Sequence, residues 1–212
     1  MVKIEKKAKL SEEEYKKFHQ FFSDNGLKLT SFGSLILDYI WRKDWKPSSD
    51  PVEAPFALKM STGSGSVTLS VKANSKAKTH SVRDYELIFP VEDFATHLEL
   101  LVSLGFRRYI VNSEQRTRFK YKQFNIALFH NKKRKAWMME VEYKTEQDAD
   151  PEKLEKDVDL LFEELHLRLL DGRDVAKIDE EISQLEEYRV DFGKVGVSDW
   201  LKKFSPEIVG DN

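Results

Sequence analysis

Polar and apolar positions alternate along much of the chain, most clearly between Gln115 and Glu142. Successive side chains of a strand point to opposite faces of a sheet, so every second residue shares a face. Arg116, Arg118, Lys120 and Lys122 fall on one parity, followed by Phe124, Ile126 and Leu128, while Thr117, Phe119 and Tyr121 take the other. After a turn expected at Asn131 to Arg134, Trp137, Met139, Val141 and Tyr143 share one face and Ala136, Met138, Glu140 and Glu142 the other. The pattern predicts a hairpin that sets a row of cations beside a pair of carboxylates. Like charges on one strand face stand roughly 7 Å apart. Their repulsion is about 0.6 kcal/mol in water and roughly 2 to 3 kcal/mol at an effective dielectric of about 20. An open row is simply solvated, whereas an enclosed one calls for anions such as phosphate.

The same alternation recurs. From Val2 to Leu10, Val2, Ile4, Ala8 and Leu10 face one way and Lys3, Glu5, Lys7 and Lys9 the other. Ser11 to Glu14 forms a capping box opening a helix whose Tyr15, Phe18, Phe21 and Phe22 make an apolar stripe ending near Gly26. Leu35 to Trp41 predicts a strand, followed by a Pro- and Ser-rich loop from Lys46 to Pro55. Pro55 to Ser61 and Ser66 to Lys72 read as a hairpin across Gly63-Ser-Gly65, with Lys59 and Lys72 on the parity opposite to their apolar neighbours. Glu86 takes the polar parity of a strand from Val82 to Phe89, and Pro90 to Phe106 reads as a helix. A short strand, Tyr109 to Val111, then precedes the hairpin. Beyond it, amphipathic helices are expected from Asp150 to about Gly172 and from about Asp174 to Tyr188, with a short one capped by Ser198. The order predicts an α+β fold with a largely antiparallel sheet, in one domain covering residues 1–212.

Composition narrows the function classes. Charged residues make up 34% of the 212, but the net charge is only −2, so any anion site is local and neither nucleic acid nor membrane is an expected partner. There is no cysteine, which excludes disulfides, thiolate metal sites and cysteine nucleophiles. The N-terminal residues lack a signal-peptide core and no apolar run is long enough to span a bilayer, so a cytoplasmic protein is expected.

Several segments, in order, carry a more specific signal: Glu5-Lys-Lys7-Ala-Lys9, Leu58-Lys59-Met60, Leu69-Ser-Val-Lys72 and Arg83-Asp-Tyr-Glu86, then Leu104-Gly-Phe106, Arg116-Thr-Arg118-Phe-Lys-Tyr121 and Met139-Glu140-Val-Glu142. Together they resemble the CYTH superfamily, the triphosphate tunnel metalloenzymes that include inorganic triphosphatases, thiamine triphosphatases and class IV adenylyl cyclases. The resemblance covers roughly residues 1–170. It implies a closed, antiparallel, eight-stranded β-barrel over about residues 1–145, with a charged interior and helices packed outside, including those of about 150–206. It also implies metal-dependent hydrolysis of a triphosphate: tripolyphosphate, or a nucleoside or thiamine triphosphate. Lys7, Lys9, Lys59, Lys72, Arg116 and Arg118 would bind the phosphate oxygens. Glu5, Glu86, Glu140 and Glu142 would hold magnesium or manganese, with Glu5, Glu140 and Glu142 as the catalytic carboxylates.

One departure stands out: Lys7 occupies the position of the motif's second Glu. The proposed lining then holds six cations, counting Lys7, against four carboxylates. That excess suits the alternative reading, a polyphosphate- or nucleotide-binding module with weak or no turnover; a class IV adenylyl cyclase is a more distant alternative. Other motifs carry less. Gly63-Ser-Gly65 lacks the ending of a nucleotide-binding P-loop, and Asp191-Phe-Gly193 spells a kinase magnesium motif without the catalytic loop that should precede it. His130 reads as a solvated residue at a turn end, Trp41 and Trp137 as packing anchors, and the basic loop Lys76 to Lys78 as solvated or as a lid.

Overall fold

A computed structural model describes residues 2–40, 42–45, 56–63, 65–73, 83–131, 135–145 and 150–209. Trp41, the loop Lys46 to Pro55 and the basic loop Lys76 to Lys78 lie outside these. The strands are β1 (Val2–Leu10), β2 (Leu27–Tyr39), β3 (Phe56–Gly63), β4 (Ser66–Ala73), β5 (Arg83–Pro90), β6 (Arg108–Tyr121), β7 (Phe124–Asn131), β8 (Ala136–Thr145) and β9 (Arg189–Asp191). The helices are α1 (Glu12–Asn25), α2 (Phe94–Ser103), α3 (Pro151–Glu164), α4 (Gly172–Gln184) and α5 (Val197–Val209). The strands pair in the order β1-β8-β7-β6-β2-β3-β4-β5, and β9 also pairs with β6. Every pairing with a defined register is antiparallel. The fold is therefore mixed α+β, as expected. Instead of a closed ring of eight strands, the described pairings form a nine-stranded sheet in which eight strands follow a path with two ends, β1 and β5, and β9 lies off it. Among the described residues, no helix is long and apolar enough to cross a membrane.

The chain divides into two compact units, with β2 and β6 running from one into the other. The first comprises residues 2–31 and 115–173. Its capping box is present: the Ser11 amide donates to Glu14 Oε2 at 2.7 Å, and the Glu14 amide donates to Ser11 Oγ at 3.2 Å. Two of the four orphan donors of α1 are thereby satisfied. Asp150 caps α3 by accepting from the Glu152 amide at 3.0 Å, and Pro151 follows, where a missing N–H costs nothing. Phe18 and Phe22 of α1, with Leu154, Val158, Leu161 and Phe162 of α3, pack on Ile4, Ala8, Phe119, Ile126, Leu128, Met139 and Val141. Each large side chain so buried contributes roughly 1.5 to 3 kcal/mol. Trp137 packs against this core as expected.

The hairpin differs from its sequence reading. Residues Gln115 to Leu128 are not one strand: β6 ends at Tyr121 and β7 begins at Phe124, with a two-residue turn at Lys122 and Gln123. Lys122 takes a positive φ of 52° and leaves the row of cations, its ammonium standing 2.9 Å from Glu164 Oε2. Reversal at that turn keeps Phe124, Ile126 and Leu128 with Phe119 on the core side, and turns Asn125, Ala127 and Phe129 to the face of Arg116, Arg118 and Lys120.

The second unit comprises the described residues among 32–114 and those of 174–209. Leu35, Leu37, Leu58, Met60 and Val67 from its strands bury against Phe94, Leu98 and Leu101 of α2 and Trp200 of α5. In the Asp191-Phe-Gly193 stretch, Asp191 ends β9 and Phe192 and Gly193 open a turn. Phe192 is buried, and the Gly193 amide donates to Asp191 Oδ1 at 3.0 Å. The helix expected to reach Tyr188 ends at Gln184, and Arg189–Asp191 forms β9 against Arg108 to Ile110.

Candidate functional site: a charged face on the first unit

Register decides which charges meet. Across β1 and β8, Glu5 opposes Glu142, Lys7 opposes Glu140 and Lys9 opposes Met138. Across β8 and β7, Glu142 opposes Asn125, Glu140 opposes Ala127 and Met138 opposes Phe129. Across β7 and β6, the partners of Asn125, Ala127 and Phe129 are Lys120, Arg118 and Arg116. Opposed residues point the same way, so four strands share one polar face backed by the apolar core. Within the first unit, the side chains described on that face include five cations, Lys7, Lys9, Arg116, Arg118 and Lys120, and three carboxylates, Glu5, Glu140 and Glu142.

Lys7 is the centre of the arrangement. Its ammonium lies 3.1 Å from Glu5 Oε1 and 3.3 Å from Glu140 Oε2. The other Glu140 oxygen is 3.5 Å from Arg116 Nη1, so this carboxylate is held from both sides. Arg116 and Glu140 are each only 14% exposed. Burial opposes the charge on Lys7, yet the Glu140 and Glu5 carboxylates and their hydrogen bonds outweigh it and hold the amine above its ordinary pKa. Glu5 and Glu142 face each other directly, which like charges resist. Lys7 takes up Glu5, and Asn125 Nδ2 donates to Glu142 Oε1 at 3.3 Å. Lys120 completes the row by donating to Asn125 Oδ1 at 3.2 Å and to the Gln123 carbonyl at 3.1 Å. Lys9 and Arg118 are exposed at the face.

Seven of the expected residues therefore come together: Glu5, Lys7, Lys9, Arg116, Arg118, Glu140 and Glu142. The other three lie in the second unit. Lys59 of β3 opposes Asp38 and Ser70, and Ser70 opposes Glu86 of the exposed strand β5. Lys72 opposes Ala57 and Asp84 in register, with its side chain outside the described residues. Sequence reasoning missed Asn125 because it ran one strand through the Lys122 turn, and it kept Lys120 in the row of cations without counting it in the site.

The donors as placed do not fit a divalent ion. Magnesium and manganese require several oxygens at about 2.0 to 2.2 Å around one point. Among the described residues, no three histidine, cysteine or acidic side chains stand together as such a group. The space between Glu5 and Glu140 is taken by the Lys7 ammonium. The arrangement is instead suited to anions, which guanidinium forks and ammonium groups bind by charge-assisted hydrogen bonds.

These features define an α+β protein that carries a mixed-charge, cation-rich sheet face. No protein-family model matches the sequence, and no curated protein matches it. Among solved structures, the PH1819 protein of Pyrococcus horikoshii aligns with a TM-score of 0.61 at 18% identity, covering 84% of this chain and 97% of its own. A proposed adenylate cyclase of Vibrio parahaemolyticus aligns at 0.56 and 13% identity, covering 79% and 90%. HpAC1 of Hippeastrum, a proposed adenylyl cyclase with a dominant triphosphatase activity, aligns at 0.50 and 14% identity, again covering 79% and 90%. This chain shares their fold.

Proposed function

We propose that the protein binds a triphosphate or short polyphosphate chain on the charged face of its first unit. The observation that carries this reading is the Lys7–Glu140–Arg116 chain of ion pairs within a face whose described cations outnumber its described carboxylates. Internal pairing lowers the cost of gathering these charges without phosphate, and the excess positive charge remains for ligand. Arg116 and Arg118 would each grip two phosphate oxygens and Lys9 would act as a point charge. Hydrolysis of the bound chain is the second reading. It is favoured by the three carboxylates of the same face and by the triphosphatase activity of the Hippeastrum protein that shares the fold.

Titration calorimetry with tripolyphosphate tests the proposal, run beside a phosphate-release assay with magnesium or manganese on the wild type and on Glu140→Gln. Binding that weakens by about tenfold in Arg118→Ala, the loss of one charged hydrogen bond, supports the binding reading. Phosphate release abolished by Glu140→Gln adds the hydrolytic one. A wild type that neither binds nor cleaves tripolyphosphate sinks both.

A further inference from the structure

We propose that Lys7 holds the place of a divalent ion between Glu5 and Glu140, a tethered cation that keeps metals out, so that the face takes its phosphate chain as the free anion. This deepens the phosphate-binding reading and rests on it for the ligand. The ammonium bridges one oxygen of each carboxylate, at 3.1 Å and 3.3 Å. A metal bound to those same oxygens would have to stand where the nitrogen does. The Lys7 backbone is pinned on both sides, so the ammonium could yield only by giving up both carboxylates through its side-chain torsions. Across one side Lys7 is in register with Glu140; on the other its carbonyl accepts from the Leu170 amide at 2.8 Å, next to a bridge between Ala8 and Leu169.

Two further carboxylate oxygens of the face are also engaged. Arg116 stands 3.5 Å from the second Glu140 oxygen and rests over the Phe129 ring, and Asn125 donates to Glu142. Lys7 and Arg116 together balance Glu5 and Glu140, so an added dication would find two cations nearby and no uncompensated carboxylate pair. A phosphate chain meets the opposite situation. It carries the charge that the excess cations lack, and it needs no metal bridge where side chains supply the positive charge themselves. The divalent ion is thus dispensable here for a physical reason: its charge is built into the strand.

The test measures metal binding directly. Free manganese is counted by electron paramagnetic resonance over the wild type, Lys7→Arg, Lys7→Gln and Lys7→Glu, with circular dichroism checking each fold. Wild type and Lys7→Arg should leave manganese free. Lys7→Glu should bind it at least about tenfold more tightly and gain melting temperature when it is added, and Lys7→Gln should fall between, which keeps the test open if the charge reversal does not fold. Tripolyphosphate affinity of the wild type should be at least as high in EDTA as in magnesium, which ties up part of the free anion. Stoichiometric manganese on the wild type, or none on any folded variant lacking the Lys7 charge, overturns the role of Lys7. So does tripolyphosphate binding that requires magnesium. Failure of tripolyphosphate to bind under either condition overturns the phosphate-chain reading instead, and leaves the manganese result to judge Lys7 alone.

Discussion

Arg116 and Phe129 are directly opposed across β6 and β7, and the guanidinium carbon lies 4.5 Å from the centroid of the ring. A flat cation laid on an aromatic face is attracted by the ring quadrupole and held in plane, with its edge left for oxygen acceptors. One nitrogen of that edge faces Glu140. A lysine keeps the charge but loses both the fork and the stacking. Arg116→Lys should therefore weaken tripolyphosphate binding by about tenfold, the loss of one charged hydrogen bond, and Phe129→Leu by a few-fold, measured by calorimetry. Equal affinity in Arg116→Lys and wild type would show that charge alone matters at this position.

Lys6 lies on the parity of Ile4 and Ala8, the apolar side of β1, yet its ammonium meets Glu155 Oε1 at 3.0 Å and Asp159 Oδ1 at 2.5 Å on α3. Burial acts against the charge, but the hydrogen bonds that the ammonium donates to these two carboxylates prevail and raise its pKa above the ordinary lysine value. A raised lysine stabilises the fold fully below its unfolded value and loses that contribution only as pH climbs through the folded one, so at neutral pH the pairs are intact. Asp159→Asn should cost about 1 kcal/mol, since the partners are partly exposed. Lys6→Met, which replaces the buried stem and removes the charge, should come out near neutral only together with Glu155→Gln and Asp159→Asn. Urea unfolding at pH 7 checks both, and a single Lys6→Met that costs nothing would mean the α3 carboxylates need no partner.

How far the fold was legible depends on the kind of signal each segment carries. Strict alternation over Val2 to Leu10 and Ala136 to Thr145 placed Glu5, Lys7, Glu140 and Glu142 on their true face, because parity needs no knowledge of neighbouring strands. The Lys122-Gln123 turn was not legible. It contains neither Gly nor Asn, and Lys122 adopts a positive φ that lysine seldom takes. Missing it put Phe124, Ile126 and Leu128 on the parity of the cations, hid Asn125 and kept Lys122 in a row it does not join. The first half of β2 and the three-residue β9 were also missed. Leu27 to Ser31 are mostly exposed, with no buried face to pattern them, and β9 is too short to show a period. Pairing of side chains across strands, such as Lys7 between Glu5 and Glu140, depends on register and lies beyond what a single strand's pattern can tell.

Gly26 sits where α1 turns into β2, and its need for glycine is spatial rather than conformational. Its φ of −117° is open to any residue, but an added Cβ would lie 2.9 Å from the Phe22 carbonyl oxygen and 3.0 Å from that of Lys120. Both are backbone atoms that cannot rotate aside. Gly26→Ala should therefore destabilise by about 1 to 3 kcal/mol, the usual cost of overpacking, and by displacing Lys120 it should also loosen the Asn125–Glu142 end of the charged face. Urea unfolding and tripolyphosphate calorimetry on the variant check the two effects. A variant as stable as wild type would mean that β6 yields at Lys120 without cost.

His19 of α1 packs edge-on to Phe119, with ring centroids 5.6 Å apart, and 6.1 Å from the ring of Tyr15. Burial disfavours its charged form first and the nearby Lys28 ammonium second, so its pKa falls below the ordinary 6.5. The sign follows from proton counting. Between the folded and the unfolded pKa, the unfolded chain binds more protons, so stability rises with pH across that window and falls as the pH drops below about 6.5. A neutral amide in the same place has no such titration. Melting temperature measured from pH 7.5 down to pH 5 should thus decline more steeply for the wild type than for His19→Gln, even though the variant starts lower for want of the Phe119 contact. Parallel curves would place the acid sensitivity of the fold elsewhere than at this ring.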